Sequence, residues 1–312
     1  MDLEALVEMA TKAPSSHNTQ PWIFEASDGG VLVYADRARA LPVNDPEDRE
    51  LTISCGAALL NLRIAAAAAG WGTEVRVLPD SEDPDLLARV QLREDHGAST
   101  EDRRLATAID LRYTHRTRFQ EATVPDDVVA KLGVAAESEG AWLIVVADDA
   151  TRDRLGDLVE EGDRAQFADP RWRQELAAWM HPLRRGDGLV VPMASITRFV
   201  VRGFDVGART GKKDKDLAGS SPVLAVLGTQ SDSVADRLAA GQALERLLLV
   251  AASVGVQASY LNQPCQVAEL RPRLRDLIGA AGFPQVVLRI GFPGGKIRRA
   301  PRRPVDSVFE RT

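Results

Sequence analysis

The sequence predicts an α+β fold built from two copies of one helix-and-strand unit, and two internal repeats are what predict it. In the first, "GAALLNLRIAAAAAG" (Gly56 to Gly70) matches the stretch Gly241 to Gly255, with 14 steps from glycine to glycine in each. Both stretches are apolar nearly all round, as a helix at the centre of a structure would be, and the closing glycine suits a left-handed cap. In the second, Leu6 to Ala10 followed by Trp22 to Phe24 resembles Val128 to Ala135 followed by Trp142 to Val146, helix then strand each time. Two such units packed through their central helices would make one chain imitate a symmetric dimer, an intramolecular pseudo-dimer.

In chain order, the first unit is expected over residues 1–98. It holds the short amphipathic helix around Leu6, the polar connection "KAPSSHNTQPWIF" (Lys12 to Phe24), the Gly56–Gly70 helix and a strand at Ala88 to Arg93. The charged stretch from Glu94 to Arg104 reads as a joint. The second unit is expected over 103–312. It begins with the helix "DRRLATAIDL" and the extended "RYTHR", and ends with the Gly241–Gly255 helix and a strand at Val286 to Gly291. Its excess length lies between Trp179 and Pro222, where a lid insertion is expected at about 180–221.

Composition narrows the function classes. With 45% apolar residues and a formal net charge of −6, the chain buries a large core and is a poor partner for nucleic acid or an anionic membrane. Cys55 and Cys265 lie 210 positions apart with no Cys/His cluster around them, which argues against a zinc site and a disulfide framework. Asp2 and Glu4 stand where a signal peptide would be basic, and no uninterrupted apolar run has membrane-spanning length, so a cytoplasmic protein is expected. His17 beside Ser16 is no nucleophile pair in attacking geometry, and G-x-S-x-G is absent. Neither G-x-G-x-x-G after a strand nor G-x-x-x-x-G-K-[ST] is present.

The remaining polar residues point to a ligand with an anionic end and a heteroaromatic body. Arg112, Thr114 and Arg116 alternate, so extended backbone would turn two permanent cations and a hydroxyl to one side. Lys296, Arg298, Arg299, Arg302 and Arg303 form a second basic cluster, in which Lys296 and Arg298 read as solvated tail. Ser15, Ser16, Asn18 and Gln20 supply groups that donate and accept, and Pro14 and Pro21 stiffen the loop that carries them.

"PSSHNTQPW" resembles the P-S-S-x-N-S-Q-P-W segment of the FMN-binding nitroreductase family, and "RYTHR" its R-x-S-x-R/K element with Thr114 in place of serine. "GVQASYLNQP" and "RRAPRRPVDSVF" are similar to segments that in this family lie near the flavin ring and phosphate. The pattern over nearly the whole chain, including "YADRARALPVNDP", is most similar to the Acg-type branch from mycobacteria and other actinobacteria, which fuses two nitroreductase-like units.

The resemblance implies a nitroreductase-like fold and FMN held between the units. It implies Arg112, Arg302 and Arg303 at the phosphate, Thr114 at the ribityl chain, and Arg116 near N1 and O2 of the flavin. Ser15, Ser16, Asn18 and Gln20 would face ring and phosphate, the backbone at Leu261 and Asn262 would approach N5, and one of Lys212, Lys213 and Lys215 would touch the flavin.

The first unit has the P-S-S loop without an arginine element before its first helix. The second has "RYTHR" but only "AESEGAW" in place of the loop, so one FMN per chain is expected. The activity implied is hydride transfer from NAD(P)H to a small acceptor, a quinone or nitro compound. The rival is FMN storage under a lid. A monomer, or a weak homodimer, would suffice.

Overall fold

The computed structural model describes residues 2–94, 97–180, 186–189, 203–295 and 299–311, and of 203–209 the backbone alone. Part of the sequence-predicted insertion, residues 181–185 and 190–202, lies outside the described residues, as do Lys296 and Arg298.

The elements run α1 (Leu3–Thr11), β1 (Trp22–Ser27), β2 (Gly30–Ala35), α2 (Arg49–Ala68), β3 (Gly72–Val77), β4 (Leu86–Arg93) and α3 (Thr100–Leu111). They continue with α4 (Asp126–Glu137), β5 (Trp142–Val145), α5 (Asp149–Ala168), α6 (Pro170–Trp179), α7 (Gly203–Gly219), β6 (Val223–Thr229) and α8 (Val234–Ala252). The chain closes with β7 (Gln257–Tyr260), α9 (Gln263–Gln266), α10 (Leu270–Leu277), β8 (Phe283–Gly291) and β9 (Phe309–Glu310). Local chemistry sets the ends. Ser99 with Asp102 and Ser233 with Asp236 form capping boxes at α3 and α8, and Asp169 caps α6 just before Pro170.

Two sheets result, β3-β4-β2-β1-β9 and β5-β6-β8-β7. Leaving β9 aside, both follow one antiparallel scheme: β1-β2-β4-β3 matches β5-β6-β8-β7. Both faces of the second sheet are covered. Val223, Ala225 and Leu227 of β6 join the core shared with α4 and α8, while the alternate Leu224 and Val226 join a core with Leu155, Val159 and Leu274.

The pairing of α2 with α8 organises the centre. At their crossing Gly56 meets Gly241 backbone to backbone: a Cβ on Gly56 would lie 2.2 Å from Leu238 O, and one on Gly241 would lie 2.0 Å from Ile53 O. The contact is reciprocal, since positions 53 and 56 map onto 238 and 241 by one constant offset of 185. The same offset relates the helix ends. Gly70 (φ 88°) and Gly255 (φ 79°) are left-handed, and Trp71 N donates to Ala66 O at 2.9 Å as Val256 N does to Ala251 O at 3.0 Å.

One expectation changes here. Strand β9 pairs parallel with β1, Phe24 opposite Phe309, so the end of the stretch assigned to the second unit completes the first sheet. By length and composition α2 could cross a membrane, but 83% of its apolar window is buried in the fold, as expected of a central helix. It is a core helix.

Candidate functional site

A cavity of about 650 Å³ opens between the two sheets' helices, within the range of small-molecule and cofactor sites. Its walls come from the polar loop after α1, the first half of α2, the segment after α3, the outer helices α5, α6 and α7, the end of β7, and residues 299–302.

One end is cationic. After α3 the chain runs extended beside β7, with Thr114 bridged to Ala258 and His115 N donating to Ala258 O at 2.9 Å. Arg112, Thr114 and Arg116 reach the cavity, whereas His115 is buried against Thr117 and Arg118. Arg302 joins them from the far end of the chain. Its guanidinium donates to Lys12 O at 2.8 Å, the carbonyl that also accepts from Arg112.

Three guanidinium groups so close disfavour one another. Burial, and then the charge of Arg112, push Arg302 down to about 9, and burial holds Arg116 below the usual arginine range. Glu245, fully buried on α8, lies 3.5 Å from Arg112 Nε, and burial raises its carboxyl above the usual range. Among the described residues, neither Arg112 Nε nor Arg302 Nε has a hydrogen-bond acceptor. Three cations lining one end in excess of their counter-charges, with buried donors left over, fit an anion such as phosphate. Tyr260, hydrogen-bonded to Thr114 and raised to about 12 by burial, stays protonated beside them.

The middle is neutral and strained. His17, Asn18 and Gln20 all have left-handed backbones (φ 49°, 56° and 52°), a conformation that costs about 1–3 kcal/mol at each non-glycine residue and collects at functional sites. Tertiary bonds hold it: Asn18 Nδ2 donates to Gly188 O (3.2 Å) and Pro301 O (3.1 Å), and Asn18 Oδ1 accepts from Arg302 (3.2 Å). His17, lowered to about 4 chiefly by burial, is an uncharged imidazole at neutral pH.

Glu50 was missed in the sequence. At the start of α2 and 3% exposed, its carboxylate accepts from Ser16 Oγ, from Asn262 Nδ2 at 3.0 Å and from Gln266 Nε2 at 3.0 Å. It therefore ties the loop of Ser15 and Ser16 to the segment after β7. The signal available was a charged Arg49–Glu50 pair opening an otherwise apolar helix.

The other end is mixed. Phe167 and Trp172 meet edge to face at 5.0 Å and line the cavity with Leu176. Opposite them Gln263 Nε2 donates to both Asp163 (3.1 Å) and Asp214 (3.2 Å), with Arg289 and Lys213 in the same wall. Lys213 is thus the cavity lysine of its group, whereas Lys215 pairs with Asp157 at 2.5 Å and Lys212 lies outside the lining.

Of the sequence-predicted residues, Ser15, Ser16, Asn18, Arg112, Thr114, Arg116, Leu261, Asn262 and Arg302 come together in this lining. Gln20 and Arg303 do not. Gln20 is fully buried behind the loop, where its side chain donates to Gly186 O (2.8 Å) and accepts from Arg303 N (2.9 Å). The guanidinium of Arg303 faces Gln20 O, Asp36 and Ser307 O, because neighbouring residues of an extended segment point apart. Both brace the loop instead of facing a ligand. Leu261 N already donates to Val287 O at 3.0 Å, so that N–H does not approach a ligand either.

No family model matches the chain. Among solved structures, an FMN- and NADPH-dependent nitroreductase, NfnB from a Sphigopyxis species, superposes with a TM-score of 0.43 at 18% identity over 65% of this chain and 96% of that one. Iodotyrosine deiodinase, solved with FMN and 3-iodo-L-tyrosine, gives 0.43 at 15% identity over 64% of this chain and 95% of that one. Among curated relatives, an uncharacterized Mycobacterium tuberculosis protein is 32% identical, covering 99% of this chain and 92% of its own. Another M. tuberculosis H37Rv protein, provisionally named NAD(P)H nitroreductase acg, is 31% identical over 315 residues, 98% of this chain and 95% of its own. With a likeness of that extent, the chain belongs to the acg-type nitroreductase family.

Proposed function

We propose that the chain holds one FMN in this cavity and works as an NAD(P)H-dependent oxidoreductase on a small acceptor, a quinone or nitro compound. The observation that carries the reading is the convergence of Arg112, Arg116 and Arg302 on one end of the cavity, Arg112 buried and Arg302 half-buried, with two Nε donors unused among the described residues, an end shaped for a phosphate monoester. FMN, when bound, supplies two-electron transfer at its ring. The protein's share is to grip the phosphate with Arg112 and Arg302, to meet the ribityl chain with Thr114, and to set the Arg116 cation where charge gathers on reduction. Ser15, Ser16 and Asn18 face the ring from the strained loop, with Glu50 and Asn262 fixing its far side.

The cavity lies between two tandem nitroreductase-like units, residues 1–98 and 103–312 with β9 returning to the first, arranged as a pseudo-dimer. The constant offset of 185 and the shared strand order support this arrangement. A single site per chain is supported by unequal connections. Residues 12–21 join α1 to β1, whereas only 138–141 join α4 to β5, too few to build a second copy of the loop. Such a chain has no need of a partner subunit to complete its site.

The test is spectroscopic. Purified protein should show the visible bands of bound flavin, and anaerobic NADPH or NADH should bleach them, with a quinone restoring them. Protein that takes up no FMN would end the reading. Flavin bleached by dithionite but by neither nicotinamide would favour storage, a reading to which the wall of Trp172, Leu176 and Leu217 from α6 and α7 lends support.

A further inference from the structure

We infer that Asp163 and Asp214 share one proton in the cavity wall, and that this pair is the acid that protonates the acceptor as it is reduced. The inference rests on the flavin reading above and adds a residue-level proton source to it.

The geometry is that of a carboxyl pair. Asp163 projects from α5 and Asp214 from α7, and the single amide nitrogen of Gln263 donates to one oxygen of each, at 3.1 and 3.2 Å. Two carboxylates clasped by one N–H₂ group repel, so the pair loses its protons in two separate steps. The second oxygen is the telling atom. Asp163 is 3% exposed, and its Oδ2 has no hydrogen-bond partner among the described residues although the residue lines the cavity. A buried bare carboxylate oxygen is costly, whereas a hydroxyl at that atom has a proton to give.

The surrounding charges decide which member holds the proton. Glu160, one turn earlier on α5, adds a negative charge beside Asp163, and Lys213 and Arg289 stand by Asp214. The charge therefore settles on Asp214 and the proton on Asp163. Burial first, and then the charge of Asp214, raise Asp163 to about 7, and burial raises Asp214 against the pull of Lys213 and Arg289. An acid so tuned is half charged at neutral pH, where a general acid works best. Position agrees as well, because Gln263 directly follows Asn262, in the segment assigned to the N5 side of the ring.

The balance is simple. The electron pair comes from the nicotinamide donor by way of the flavin, together with one hydrogen. A quinone needs one further proton to become a hydroquinone; a nitro group needs one to leave as nitroso compound and water. The O–H bond of Asp163 breaks, an O–H bond forms on the acceptor oxygen, and solvent returns a proton to the pair.

Infrared spectra of the flavin-free protein test the shared proton directly. A carbonyl stretch of a protonated carboxylic acid should titrate near neutral pH, vanish in Asp163→Asn, and move to lower pH in Asp214→Asn. With flavin loaded, the ratio of reoxidation rates with a quinone and with ferricyanide, which takes an electron and no proton, should fall about 100-fold in Asp163→Asn. Absence of any titrating band, or an unchanged ratio in both variants, overturns the proposal. Failure to load flavin would instead strike the reading beneath it, and the infrared arm would still report on the pair.

Discussion

Replacing Gly56 by alanine tests the central crossing, because two effects of known sign oppose each other there. In the interior of an exposed helix, Gly→Ala stabilises by about 1 kcal/mol. At this crossing the added Cβ would fall 2.2 Å from Leu238 O and 3.0 Å from Gly241 Cα. An ordinary C···O approach is about 3.3 Å, so the overlap is about 1 Å. Both obstacles are helix backbone and cannot swing aside, so α2 and α8 must part by about that distance, which forfeits a quarter to a half of the local dispersion attraction. Overpacking typically costs about 1–3 kcal/mol, and with rigid obstacles the upper end applies. The net loss is then about 2 kcal/mol after the gain in propensity, or about 4–8 °C in melting temperature at about 2–4 °C per kcal/mol. Thermal melts of the ligand-free protein measure it, with Gly133→Ala on α4 as control, since nothing lies within 4 Å of that Cβ. Gly241→Ala should behave like Gly56→Ala, and the double variant should lose less than the two losses added, because one separation relieves both clashes. A Gly56→Ala protein that melts at or above the parent would refute the close approach. Because Ile53 and Ala57 of α2 and Leu244 of α8 line the cavity, the same separation should loosen flavin binding.

Other expectations follow from the cavity. Arg302→Ala should weaken FMN binding about 10–100-fold in a fluorescence titration, the worth of a charge-assisted hydrogen bond of about 1.5–3 kcal/mol, whereas Lys212→Ala, outside the lining, should leave it unaltered. Glu50→Gln keeps the shape but turns an amide N–H₂ toward the donors of Ser16, Asn262 and Gln266; it should lower stability by about 1–3 kcal/mol in urea denaturation and slow flavin uptake, and an unshifted midpoint would deny Glu50 its role as tie. The raised carboxyl of Asp163 has a definite consequence for pH. Its folded value of about 7 exceeds its unfolded 3.8, so its contribution is fully present below 3.8 and fades as pH rises through 7, with an upper bound of about 4 kcal/mol. The stability of the parent relative to Asp163→Asn should therefore fall between pH 4.5 and 7.5, and a difference that grew with pH would reverse the assignment.

Much of the centre was legible because it is written locally. The repeat from Gly56 to Gly70 and from Gly241 to Gly255 marks two equivalent helices, and the alternation of Arg112, Thr114 and Arg116 shows in the sequence what the extended backbone does. What escaped depends on distance along the chain or on an unrecognised helix. Strand β9 adds to β1 across some 285 residues, and nothing in Phe309–Glu310 announces a parallel partner. Arg303 looked as good as Arg302, although the alternation used for Arg112 and Arg116 would have separated them. The three lysines could not be ranked while their stretch was read as a lid-like insertion. In α7, Thr210, Lys213, Asp214 and Leu217 fall at i, i+3, i+4 and i+7, one helical face, and all four line the cavity. Asp163 and Asp214 lie 51 positions apart on α5 and α7, so only their packing against Gln263 makes them a pair.

The reciprocal contact at Gly56 and Gly241 also bears on how such a chain can change. In an assembly of identical subunits every substitution is made twice, and a residue that improves one site while spoiling its mate is weighed on both at once. A single chain lifts that restriction. Leu60 and Glu245 occupy equivalent places on α2 and α8, 185 positions apart, and both are fully buried, yet one is an alkyl group and the other a carboxyl beside Arg112. The two helices differ there while the glycine crossing keeps them in close contact, so the geometry of a pair outlives the sameness of its members.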